Sequence, residues 1–240
     1  RGLGRGLEDR RRQLVDRLWH LGPGQAGGEP VTWWPMYVYL FGAMFCLGVS
    51  CLSHTMFCVS RKTSSWIWRL DYVGVAMMII TSFFPAVYYT LKCHPLSRWV
   101  YLVGVTLLGI GVVALAWLEQ FQRNGWGMVR VGLFTALAFF GIFPLLQTAV
   151  VHWGEEGVRE AMVFEVFMAI SYLTGGGLYA AQAPERWLPG KFDIVGSSHQ
   201  LFHVGVVLGA YFHFRATMRM LEWRYTEEDL RGYCPVHLAA

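Results

Sequence analysis

WPMYVYLFGAMFCLGVSCLSHTMF, at residues 34–57, decides the fold, because it contains no Asp, Glu, Lys or Arg. A helix that crosses a bilayer needs about 20 predominantly apolar residues, and this run is long enough. In lipid, only helices and closed barrels satisfy every backbone hydrogen-bonding group. The run therefore predicts a membrane-spanning helix.

Five more apolar runs follow, separated by short connections rich in Gly, Pro and charge. They lie at about 71–91, 98–118, 130–151, 161–181 and 197–221. No linker is long enough to divide them. The sequence predicts an all-α, polytopic membrane bundle of about six helices over 34–223, followed by a tail at 224–240.

The composition favours the same class. Hydrophobic residues make up 55% of the chain and charged residues 15%, against about a quarter charged in a soluble domain. An aromatic content of 16% suits rings placed at two membrane interfaces. Basic residues form no stripe interleaved with aromatics, so no nucleic-acid partner is expected.

Residues 1–33 differ from the rest, because arginines alternate with apolar side chains up to Trp19 and a Gly-rich stretch follows. This pattern fits a basic amphipathic helix on a lipid surface or a solvated extramembrane connector. The chain opens with Arg1, so we expect a fragment.

The five cysteines are scattered, odd in number and mostly within apolar runs: Cys46, Cys51, Cys58, Cys93 and Cys234. We interpret them as small buried hydrophobic residues and not as a disulfide framework. Lys and Arg are more frequent in the connections after the first, third and fifth runs, which predicts that this face is cytoplasmic.

A cluster of polar side chains is expected at that face. His54 ends the first run, with Ser50 one helical turn before it, and Asp71 opens the second run. His199 and His203 open the last run, and residues four apart lie on one side of a helix.

If six spans are correct, these five residues share one depth, where ionisable groups are costly and usually functional. Three histidines with an open fourth position form the catalytic type of zinc site. Asp71 would then act as general base and Ser50 would hydrogen-bond beside it.

Two other interpretations remain open from the residues alone. A transmembrane histidine is often an interhelical hydrogen-bond donor, and Asp71 could cap the N-terminus of its helix. Packing, loop or interface roles are expected for the remaining histidines: His20, His94, His152, His213 and His237. Glu165 could join helices or line a cavity.

Several motifs resemble the progestin and adipoQ receptor family, the hemolysin III related group that includes adiponectin receptors and plant heptahelical proteins. They are Ser50-x3-His54, Leu70-Asp71-Tyr72-x-Gly74, Thr174-Gly175-x-Gly177-x-Tyr179, Pro184-Glu185-Arg186-x2-Pro189-Gly190-Lys191-Phe192-Asp193 and Ser198-His199-Gln200-x-Phe202-His203-Val204. The resemblance covers about Trp34 to Trp223 and is strongest to the plant and algal branch.

The resemblance implies a seven-helix bundle with a cytoplasmic N-terminus and zinc in the cytoplasmic half of the bilayer. It implies that His54, His199 and His203 are the zinc ligands, that Asp71 holds water, and that Ser50 is a neighbour of the site. The first family helix has no counterpart, so 1–33 would be the exterior connector between family helices one and two.

These observations lead to a receptor-like membrane protein whose zinc centre hydrolyses a ceramide-like lipid amide in signalling. The alternative is a non-catalytic receptor with a structural zinc. A third hypothesis, a metal or proton transporter, has less support, because no acidic relay crosses the other runs. Expected partners are membrane lipids, a sphingolipid substrate and a hormone or protein ligand, in the plasma membrane or an endomembrane.

Overall fold

The protein is all-helical in a computed structural model that describes residues 31–56, 58–119, 126–231 and 234. The helices of these residues are α1 (Trp34–Met56), α2 (Arg61–Thr90), α3 (Pro95–Trp117), α4 (Gly127–Phe139), α5 (Ile142–His152), α6 (Glu156–Ala181) and α7 (Ser198–Arg231). The predicted all-α bundle is confirmed. Of the basic segment expected at 1–33, all but the last three residues lie outside the described residues.

Five stretches are long and apolar enough to cross a membrane: α1, α2 from Thr63, α3, α4 with α5, and α6. The chain is therefore a multi-pass integral membrane protein. α7 is long enough to cross a bilayer, but the charged residues of its second half, between Arg215 and Arg231, lower its mean hydropathy.

The second helix begins earlier than the sequence predicts. Ser60 caps its N-terminus, because the Ser60 hydroxyl accepts a hydrogen bond from the Thr63 amide at 3.1 Å. Asp71 therefore lies well inside α2. The interpretation of Asp71 as a helix cap is wrong, since Ser60 already fills that role.

The fourth predicted span, at 130–151, is interrupted between α4 and α5. Proline has no amide hydrogen, so Pro144 cannot donate to the Phe140 carbonyl one turn earlier. The Phe140 carbonyl instead accepts from the Phe143 amide at 3.3 Å. The span is thus two helices, α4 and α5, that meet at Gly141.

α2 is the central helix and packs against α1, α3, α4 and α7, whereas α6 packs mainly on α7. Two glycines allow the closest approaches. A Cβ at Gly42 would lie 1.9 Å from the Thr81 hydroxyl oxygen, and one at Gly205 would lie 2.8 Å from the Ser171 carbonyl oxygen. Side chains at these positions would push α1 from α2 and α7 from α6.

The tightest packing lies at the end of the bundle remote from His54. Met36, Tyr89 and Leu221 are at most 1% exposed there, at the start of α1 and the ends of α2 and α7. Such large side chains stabilise the contact between membrane helices through close van der Waals packing. This end anchors the helices whose opposite ends carry the candidate site.

The interpretation of the cysteines is correct only for Cys46, which is buried. Cys51 and Cys58 are exposed, and Cys93 forms a disulfide with Cys234. Cys93 follows α2 and Cys234 follows α7, and both helices end on the face opposite His54. The bridge was missed because its two residues are 141 positions apart in sequence.

Candidate metal centre

Three imidazoles from two helices meet at one end of the bundle. The Nε2 atom of His54 lies 3.2 Å from that of His199 and 3.3 Å from that of His203. The Nε2 atoms of His199 and His203 are 3.1 Å apart. All three side chains are half-buried.

Hydrogen bonding among the three rings cannot explain this triangle. Each Nε2 of a neutral ring either carries a proton or offers a lone pair. With three atoms and two states, at least one contact must join two donors or two acceptors, which repel. A cation that receives all three lone pairs removes this conflict.

The distances also match the needs of a metal ion. Three nitrogens bound at about 2.0–2.1 Å in tetrahedral directions lie about 3.3–3.4 Å from one another. The observed separations of 3.1, 3.2 and 3.3 Å are close to these values. The donor set, three imidazole nitrogens, is one that Zn²⁺ accepts.

Helix geometry and aromatic neighbours orient the rings. His199 and His203 are four apart on α7, so both project from one side of that helix. The Trp68 ring meets His54 edge-on at 5.2 Å between centroids, and the Tyr179 ring lies 5.4 Å from that of His199. The sequence indicated no role for Trp68 or Tyr179.

Asp71 lies beside the triangle on a third helix, α2. Its carboxyl group hydrogen-bonds with the Ser50 hydroxyl and interacts electrostatically with His54 and His199. Ser50 is 8% exposed, one turn before His54 on α1. All five residues singled out from the sequence thus lie together, although Asp71 reaches the site from inside its helix.

A cationic group that the sequence did not single out packs on Tyr72, the residue after Asp71 in α2. The Arg130 guanidinium of α4 lies over the Tyr72 ring, 5.3 Å from its centroid. Phe134, one turn further along α4, stacks on Tyr72 at 6.3 Å. These contacts place α4 against Tyr72, next in sequence to Asp71.

The first turn of α7, which carries His199, is held by the preceding connection. The Ser198 amide donates to Glu185 Oε2 at 2.8 Å, and the Ser198 hydroxyl donates to the same carboxylate. The side-chain Nε2 atom of Gln200 donates to the Ile194 carbonyl at 2.9 Å. Polar contacts on both sides of His199 therefore fix its position.

Two other histidines have polar partners that the sequence did not indicate. His213 Nδ1 lies 3.0 Å from Glu165 Oε1, and both side chains are almost fully buried. His213 Nε2 contacts the Ser82 carbonyl at 3.0 Å. His152 Nε2 contacts the Thr90 carbonyl, also at 3.0 Å. Both histidines thus make polar contacts between helices, which is one of the roles expected, whereas His20 and His237 lie outside the described residues.

A model of the family described as Haemolysin-III related matches residues 19–214. The chain is 44% identical over 199 residues to heptahelical transmembrane protein 4 of Arabidopsis thaliana, covering 83% of this chain and 52% of that protein. It is 40% identical over 200 residues to heptahelical transmembrane protein ADIPOR2 of Oryza sativa subsp. japonica, covering 83% and 87%.

A more distant relative is the adiponectin receptor protein of Drosophila melanogaster, 34% identical over 187 residues that cover 78% of this chain and 42% of that protein. The chain spans about half the length of most of the curated relatives it matches. The family match nevertheless includes all three histidines, Ser50 and Asp71. The resemblance seen in the motifs is thus confirmed, and the chain belongs to the Haemolysin-III related family, together with plant heptahelical transmembrane proteins and an insect adiponectin receptor protein.

Proposed function

We propose that this membrane protein is receptor-like, binds one Zn²⁺ ion through His54, His199 and His203, and hydrolyses a ceramide-like lipid amide. The observation that carries the proposal is the triangle of Nε2 atoms, 3.1–3.3 Å on each side, with a carboxylate beside it. The receptor-like part rests on the family, which includes a protein named as an adiponectin receptor.

A zinc ion held by His54, His199 and His203 would supply Lewis acidity towards a carbonyl oxygen and would make a bound water more acidic. Amide hydrolysis consumes one water and releases a carboxylic acid and an amine. Asp71 would accept a proton from the attacking water and return it to the leaving nitrogen. The Ser50 hydroxyl would hold the Asp71 carboxyl group in place for both transfers.

The position of the site supports a lipid substrate. His54 and Asp71 lie on helices that cross the membrane, and His199 lies in the first turn of α7. A substrate dissolved in the bilayer could reach this depth between helices without passing through water.

Two variants of the purified protein test this proposal. His203→Ala should lose bound zinc and hydrolysis together. Asp71→Asn should retain about one zinc per chain and lose about 10²–10⁴-fold in the hydrolysis of a fluorescent ceramide. Asp193→Asn, which changes an exposed carboxylate in the α6–α7 connection, is the matched control and should behave as wild type.

Zinc retained at the wild-type level by His203→Ala would contradict the metal centre. If Asp71→Asn hydrolysed the ceramide at the wild-type rate, a catalytic role for Asp71 would be excluded. The same ion would also join α1 to α7, and this favours a second candidate, a receptor with structural zinc. For that candidate, His203→Ala should unfold the bundle while Asp71→Asn leaves signalling intact.

A further inference from the structure

The connection between α6 and α7, residues 182–197, exposes large apolar side chains. Trp187 is 72% exposed, Ile194 is 85% exposed and Val195 is 75% exposed. A loop that faced only water would gain nothing from three such side chains, and clustered exposed apolar groups usually mark a contact surface.

These side chains are held outwards by a fixed backbone. The Ile194 carbonyl accepts from the Gln200 side chain, and the Gly196 amide donates back to the Gln200 Oε1 atom at 2.6 Å. Gly190 and Gly196 have positive φ angles of 83° and 85°, which glycine adopts without strain. The connection thus has a defined shape in which Ile194 and Val195 stay exposed.

The neighbouring surface identifies what covers these side chains. The connection joins α6, a membrane-crossing helix, to the start of α7, so it lies where the bundle leaves the bilayer. Ile170 and Leu173 of α6 are 54% and 55% exposed. Because α6 spans the membrane, these exposed side chains face lipid. An apolar side chain exposed where such a helix ends therefore has lipid within reach.

The side-chain types and charges of the connection narrow the partner further. Tryptophan is enriched at membrane interfaces because its ring is apolar and its N–H is polar. The charged residues of the connection balance: Glu185, Arg186, Lys191 and Asp193. With no excess of positive charge, the connection has no electrostatic preference for anionic lipids.

We propose that the α6–α7 connection is an interfacial membrane anchor, which inserts Trp187, Ile194 and Val195 into the headgroup region of the leaflet on the metal-centre side. Its partner is the lipid surface itself, and a zwitterionic surface suffices. Because Gln200 and Glu185 tie the connection to the first turn of α7, the anchor also sets the depth of His199 in the bilayer. The anchor does not depend on zinc or on hydrolysis.

Fluorescent probes on single cysteines test the anchor in phosphatidylcholine vesicles. Cys51→Ser and Cys58→Ser remove the exposed native thiols, and the probe is attached at Ile194→Cys or at its neighbour Asp193→Cys. We expect nitroxide-labelled lipid to quench the probe at 194 strongly. We expect iodide in the buffer to quench it several-fold less than the probe at 193.

Equal quenching by iodide of the probes at 193 and 194 would overturn the proposal. The exposed apolar side chains would then be assigned to the binding of a soluble protein partner. Lipid quenching that requires phosphatidylserine would overturn the assignment of a neutral surface. A label-free measurement guards against a probe that disturbs the fold. Brominated phosphatidylcholine should quench wild type more than Trp187→Phe, and equal quenching of the two would also overturn the anchor.

Discussion

The Ser50 hydroxyl can influence the proposed reaction although Ser50 is not one of the proposed zinc ligands. It is buried on α1 and hydrogen-bonds with the Asp71 carboxyl group. Groups that orient the partners of a metal site typically change activity or affinity about 10–100-fold when removed. We therefore propose that Ser50 is a positioning residue.

We predict that Ser50→Ala lowers hydrolysis of a lipid amide about 10–100-fold while the protein keeps its zinc. Ser53→Ala is the matched control, because Ser53 is also buried on α1 but donates to the Val49 and Ile67 carbonyls. The control should lower stability by about 1 kcal/mol and leave the rate unchanged. A wild-type rate for Ser50→Ala, measured beside zinc content, would exclude this role.

At the scale of elements, the start of α7 depends on a carboxylate outside the membrane-spanning segments. The Ser198 hydroxyl and amide both donate to Glu185, and these hydrogen bonds hold the pKa of Glu185 below its ordinary value. A lowered pKa means that the folded state favours the ionised form. The stabilisation of α7 by these hydrogen bonds is therefore complete above the ordinary pKa of a glutamate. It is lost as the pH falls through the lowered pKa of Glu185.

We predict that amides in the first turn of α7 exchange hydrogen faster as the pH is lowered from about 5 to below 4, after correction for intrinsic exchange. Glu185→Gln should reproduce part of this loss at neutral pH, because a neutral amide accepts more weakly than a carboxylate. Exchange in the first turn of α2, capped by the non-titrating Ser60, is the internal control. A cap that is independent of pH would show no difference between the two helices.

Inside the membrane, Glu165 of α6 and His213 of α7 join these two helices. The Ser82 carbonyl can only accept, so His213 Nε2 donates to it, and His213 Nδ1 faces the Glu165 carboxyl group at 3.0 Å. The pair links α6 and α7 to α2 near Pro85. No catalytic role is needed to explain it.

We predict that His213→Ala destabilises the bundle by about 3–5 kcal/mol, because it leaves the buried Glu165 carboxyl group without its partner. Replacing both residues by leucine should cost less than this single change, since apolar groups of similar size often substitute well for a buried pair. Thermal unfolding in detergent measures both. A single variant more stable than the double variant would refute the coupling.

At the scale of the whole molecule, the disulfide and the candidate metal centre lie on opposite faces. α1 runs towards His54 while α2 and α7 run from the centre towards Cys93 and Cys234. Disulfides persist in oxidising compartments, so we predict that the Cys93 face lies at the exterior or lumen and that His54 lies on the cytoplasmic side. This agrees with the orientation predicted from the charged connections.

We predict that a membrane-impermeant reductant added outside sealed, right-side-out vesicles breaks the Cys93–Cys234 bond. An impermeant chelator added from the same side should remove no zinc. Inside-out vesicles should give the reverse result. The orientation is wrong if reductant and chelator act from one side.

Much of the fold and part of the site can be predicted because they depend on local properties of the chain. A run without charged residues, such as 34–57, must form a helix in lipid, since its backbone groups have no other partners. The spacing of His199 and His203 places both on one side of any helix. The number of spans then places His54 and these two histidines on one face of the membrane.

Only the tertiary structure decides which side chains meet, because this depends on the rotation and crossing of helices distant in sequence. His54 reaches His199 across 145 positions, Glu165 reaches His213 across 48 and Cys93 reaches Cys234 across 141. The local properties of the chain are enough to predict a multi-pass helical bundle with a polar cluster on one face. Packing around α2, with glycines that permit close approach, decided that three imidazole nitrogens converge within a single ion's reach.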